Sequence, residues 1–103
     1  MHRSVVVCCE IGIEVPRRQR KPAKVTTMIQ YRRTSMIVVT MSTGHLSVVD
    51  LLKQSVVSLI KAHKGNVTSA CFLNNFEHFA TASGGFSRRH DNSINIYRVF
   101  EVL

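Results

Sequence analysis

The feature that most constrains this chain is an internal repeat. The stretch VTTMIQYRRTSMIVVTM lines up without gaps on VTSACFLNNFEHFATAS, so that Val25 stands on Val67 and Met41 on Ser83. The match resumes with Thr43 to Asp50 on Asp91 to Arg98, the second copy carrying six extra residues within Gly84 to His90. A fixed spacing of this kind means that one supersecondary unit is built twice and that each unit buries its apolar side against a neighbour.

The units read as strands. In the second copy the runs Val67 to Phe72, Glu77 to Ala82 and Ser93 to Val99 are short, apolar-rich and bounded by turn residues, the pattern of a three-stranded meander. Along the last of them Ile94, Ile96 and Arg98 point one way while Ser93, Asn95, Tyr97 and Val99 point the other, the period of 2 that a strand requires. The first copy supplies four strands between Val25 and Lys61, the last being SVVSLIK from Ser55 to Lys61. A further strand is expected over Ser4 to Val15, with Cys9, Ile11, Ile13 and Val15 on one side and Glu10, Gly12 and Glu14 on the other.

The second copy resembles a WD-repeat blade. His63 stands where that family has its turn histidine, Thr81 lies where the second strand carries Ser or Thr, Asp91 occupies the tight turn before the third strand, and Tyr97 takes the tryptophan's place. Ala62, Tyr97 and Arg98 replace the family's Gly, Trp and Asp. The resemblance implies that His63, Thr81, Asp91 and Tyr97 form one buried network, since a buried polar group without a partner costs about 1–3 kcal/mol. The spacing that sets Val25 on Val67 falls inside the family's period of about 40–45 residues. In the first copy Lys21, Val39, Thr43 and Val49 occupy the four positions, so the strand pattern is kept and the polar set is lost.

The fold expected from the resemblance is all-β, two antiparallel four-stranded-type blades of a WD-repeat propeller forming an incomplete ring. Its parts are residues 1–15, a strand of a preceding or closing blade; 16–24, a basic linker with two prolines; 25–61, a degenerate blade; and 62–103, a blade lacking a full fourth strand. A small barrel or sandwich is the alternative, but it gives no reason for the repeat. Two blades do not close a ring, which needs at least four, so a fragment or truncated form is expected, with an exposed apolar patch and a poorly anchored amino end.

Hydrophobic residues make up 45% and charged residues 19%, a balance that argues for a folded chain. No apolar run reaches the roughly 18 residues of a membrane span, and the start, MHRSVVVCC, is too short in apolar residues for a secretory signal. Cys8, Cys9 and Cys71 are an odd count without CxxC spacing, and the five histidines stand singly. A reducing cytoplasmic or nuclear compartment is expected, with no metal and no cofactor.

The net charge of +8 is unevenly placed, with eight basic and two acidic residues among the first 33. Arg17, Arg18, Arg20, Lys21 and Lys24 crowd the stretch Pro16 to Lys24. That stretch reads as a solvated loop, a nuclear address or, with Arg32 and Arg33, a phosphate-contacting segment of an RNA-associated nuclear or ribosome-assembly factor.

No catalytic residue is proposed. The six acids have no paired spacing, no serine lies in a nucleophile elbow, and Gly84-Gly85 is not followed by Gly-Lys-Ser. The resemblance instead implies a non-enzymatic scaffold for protein–protein interaction. Its partners would be other proteins at the propeller loops, and further blades of a longer chain or copies of itself. Within GGFSRRH, Phe86, Arg88 and Arg89 are the candidate partner contacts, because aromatic and Arg residues dominate interface hot spots. A tolerated insertion is the alternative, since lengthening a surface loop costs little.

Overall fold

The computed structural model describes residues 9–15, 23–73 and 77–99. The described residues form two antiparallel sheets. The first has the order β1 (Val25–Gln30), β2 (Met36–Met41), β3 (His45–Asp50), β4 (Ser55–Lys61), and the second the order β5 (Ser69–Phe72), β6 (His78–Ala82), β7 (Ile94–Arg98). The described residues are all-β, and no helix among them is long and apolar enough to cross a membrane.

The repeat in the sequence is also a repeat in register. In the first sheet Ile29 faces Val38 and Val38 faces Val48; in the second Cys71 faces Ala80 and Ala80 faces Ile96. The alignment that sets Val25 on Val67 and Thr43 on Asp91 carries the one set of partners onto the other. Register repeats because a slip of one residue would turn every side chain to the opposite face.

One core lies between the sheets. From the first sheet Val38, Leu46 and Val48 meet Phe79 of the second and Val99 just after β7, with Ile29, Met36, Ile60, Phe72 and Tyr97 packed around them. Phe79 stacks on Tyr97 at a centroid distance of 5.2 Å and meets Phe72 edge-on at 5.8 Å. The opposite face of the first sheet, Ile37, Val39 and Val49, is covered by Ile11 and Ile13.

Residues 9–15 correct one expectation. Their side chains alternate between half-buried and exposed as the sequence implies, but they pair with no strand among the described residues. Ile11 and Ile13 lie across the face of β2 and β3 rather than along a strand edge, so burial is gained without ladder hydrogen bonds. The amino end on which the expectation of poor anchoring falls, residues 1–8, lies outside the described residues. Among the large hydrophobic residues left exposed are Met28, Leu52, Ile94 and Ile96.

Candidate functional site

The polar centre of the molecule is the junction between the turn that follows β4 and the turn that precedes β7. Asp91 organises it. Its Oδ1 accepts from the Ser93 hydroxyl at 2.6 Å, the Ser93 amide at 3.1 Å and His63 Nδ1 at 3.3 Å, while Oδ2 accepts from the amides of Lys64 at 2.9 Å and Gly65 at 3.3 Å. A carboxylate only accepts, so His63 carries its proton on Nδ1, and Nε2 accepts from the Thr81 hydroxyl at 2.8 Å. Nδ1 also lies 3.0 Å from the Ser93 hydroxyl oxygen.

The Ser93 hydroxyl, with the amides of Gly65, Ser93 and Lys64, holds the Asp91 carboxyl well below the usual carboxylate range, against the opposing effect of burial. A depressed carboxylate stabilises the fold fully above its ordinary value of about 3.9 and loses that contribution as the pH falls toward the folded value.

His63, Thr81 and Asp91 are therefore joined by hydrogen bonds. Tyr97 is not joined to them directly. In the ladder it lies opposite Phe79, whereas Asn95 lies opposite Thr81, and the Tyr97 hydroxyl accepts from the Asn95 side chain at 3.4 Å. The same Asn95 amide donates to the Ala62 carbonyl at 2.5 Å, so Asn95 forms the link between β7 and the His63 turn. Ser93, Asn95 and the amides of Lys64 and Gly65 were not singled out in the sequence. Ser93 two residues after an Asp is the signal that could have found it, because an Asp side chain bonds its own backbone two residues on.

Two glycines let the turns meet. A Cβ on Gly65 would lie 2.3 Å from the Arg89 carbonyl, where the Asn66 amide donates at 2.6 Å. Gly44 has φ +89°, and its carbonyl accepts from the amides of Ala62 and His63 at 2.9 and 3.0 Å. The first sheet carries its own polar pair at the matching end, where the Thr43 hydroxyl bonds His45 Nδ1 at 2.7 Å and Lys61 Nζ donates to the Thr43 carbonyl. Burial, and then the nearby charge of Lys61, pushes the His45 pKa down.

Thr81, His63 and Asp91 stand in the order of a nucleophile, a base and its orienting acid. Thr81 and His63 are both buried, however, and the Thr81 hydroxyl is out of a substrate's reach in this fold. What the arrangement does is brace one turn against the other. Asp91→Asn tests this. An amide would turn an NH2 toward donors at one or other oxygen, so the loss of stability in urea should be several times that of an exposed substitution, and the acid dependence below about pH 4 should shrink. A simple hairpin turn would accept Asn as readily as Asp, and an unchanged unfolding midpoint would dismiss the brace.

The loop from Gly84 to His90 follows from the brace. Phe86, Arg88 and Arg89 are exposed, as the sequence implies. The loop carries hydrogen bonds of its own. Ser87 Oγ bonds His90 Nδ1 at 3.0 Å and accepts from the Arg89 amide at 3.2 Å, Gly85 donates to the Asn92 side chain at 3.1 Å, and Gly84 donates to Thr68 Oγ1 at 3.0 Å. Short polar side chains bond backbone groups that strand pairing leaves unpaired.

Of the basic segment, Arg17, Arg18, Arg20 and Lys21 lie outside the described residues. Lys24 is exposed, with its amide donating to the Ser42 hydroxyl at 2.9 Å. Arg32 and Arg33 sit in the turn between β1 and β2, the Arg32 guanidinium 5.6 Å from the Tyr31 ring centroid. No protein-family model matches the chain, and no curated protein matches it in sequence.

Proposed function

We propose that this chain is a non-enzymatic interaction platform of the WD-repeat kind, with two successive blades presenting the loop from Gly84 to His90 to a protein partner. The observation that carries the reading is the repeated register, two sheets in which the alignment of the two sequence copies maps one set of strand partners onto the other. The link from His63 to Thr81 and Asp91 supports it, because it holds the loop's base rigidly while the loop's tip stays exposed. Rigid scaffolds that display exposed loops are suited to binding. Phe86 offers an uncovered ring in the same short loop as the exposed Arg88 and Arg89, and aromatic and Arg residues contribute most at protein interfaces.

The test is to replace Phe86, Arg88 and Arg89 together by alanine and compare the proteins recovered with the wild-type and altered chains. Loss of a defined set of proteins, with the unfolding midpoint unchanged, is the expected result. An identical set recovered by both leaves the loop a tolerated insertion. Recovery of RNA instead, falling steeply between low and physiological salt, would favour the RNA-associated reading.

A further inference from the structure

The two-sheet stack has two apolar outer faces, and the repeat relates them to the interface already formed inside the molecule. Where the first sheet buries Leu46 and Val48 completely, the second carries Ile94 and Ile96 at the equivalent positions, 72% and 55% exposed. Ala80 and Ala82 lie beside them in the ladder. The face that covers Leu46 and Val48 is the inner face of the second sheet, with Phe79 and Tyr97. Under the same alignment, Phe79 and Tyr97 correspond to Ile37 and Val49 on the far face of the first sheet.

That far face is covered only in its middle. Ile11 and Ile13 lie over Ile37, Val39 and Val49, but Met28, opposite Val39 in the ladder, is 66% exposed, and Val56 and Leu59 on β4 are exposed as well. The cover is a single segment without ladder bonds.

From these faces we propose that copies of this chain associate head to tail, the far face of one copy's first sheet packing on the outer face of another copy's second sheet. The contact reproduces the internal one: Ile94 and Ile96 take the part of Leu46 and Val48, and Ile37 and Val49 that of Phe79 and Tyr97. Residues 9–15 move aside to admit it. Such a contact uses two different surfaces, so it propagates until the rotation closes a ring or extends a filament. Each copy carries +8, so added salt screens the repulsion and strengthens the association, the opposite of a phosphate-driven contact. The inference deepens the repeat reading above and rests on it.

Sedimentation of the full chain and of two face variants tests it. Wild type should form species that are multiples of 11.6 kDa and grow with concentration and salt. Ile96→Glu and Met28→Glu each remove one of the two faces, at positions already exposed, so each variant alone should sediment as a monomer with an unchanged circular dichroism spectrum. Mixed, they should form a one-to-one dimer, because each supplies the face that the other lacks. Wild type that stays monomeric at high salt overturns the proposal, and so does a Met28→Glu chain that still dimerises, which would mean pairing of two second-sheet faces. A monomeric wild type that loses proteins on the loop substitution would leave the platform reading standing.

Discussion

Replacing Phe79 by alanine should destabilise the fold by about 3–5 kcal/mol, the cost of deleting a fully buried aromatic ring. The ring is completely buried and lies between Phe72 and Tyr97, facing Val38, Leu46 and Val48 across the gap between the sheets. Among the described residues it is the largest side chain that is fully buried. A folded domain holds roughly 5–15 kcal/mol of net stability, so the variant should unfold far earlier in urea or not fold at all. Phe79→Leu keeps most of the apolar volume and should cost much less, about 1.5 kcal/mol. A Phe79→Ala midpoint within the range of surface substitutions would mean that the two sheets do not share a core. The site would then lose the support that sets its two turns at a fixed separation.

How much of this was legible in the sequence divides by the range of the interaction. The repeat, the period of 2 in β7 and the run from Ser55 to Lys61 are local patterns, and the observed β4 and β7 follow them closely. His63, Thr81 and Asp91 could be set apart because the resemblance placed them, though Thr81 and Asp91 lie 18 and 28 residues along the chain from His63. Tyr97 was placed by position alone, and the ladder explains the difference: the ring belongs with Phe79, and Asn95 takes the position opposite Thr81. The alternation of residues 9–15 was legible, but whether they would pair was not. Alternation reports which side chains are buried and says nothing about which backbone groups find a strand. Asn95 and the Gly65 contact with Arg89 depend on two distant turns meeting, for which no local pattern exists.

Gly44 shows how much rests on such a meeting. Its φ of +89° lies in the region that L side chains rarely adopt, and a Cβ there would stand 2.0 Å from the His63 carbonyl oxygen and 2.9 Å from that of Gly65. Both obstacles are backbone, so no side-chain rotation relieves them. Gly44→Ala should therefore cost about 1–2 kcal/mol in backbone strain. It should further weaken the hydrogen bonds from the Ala62 and His63 amides to the Gly44 carbonyl, each worth about 0.5–1.5 kcal/mol, for a total loss of about 3 kcal/mol. Those two bonds hold the His63 turn to the first sheet, while Asp91 and Thr81 hold His63 to the second. Hydrogen exchange at the Ala62 and His63 amides should accelerate more than exchange in β2 and β3, and the Thr81 contact should loosen with it. Thr43→Ala, one residue away, removes a hydroxyl bonded to His45 but leaves the backbone approach intact, and should cost roughly 1 kcal/mol. A Gly44→Ala chain as stable as wild type, with unchanged exchange at Ala62 and His63, would mean that the turn between β2 and β3 does not support the site at all.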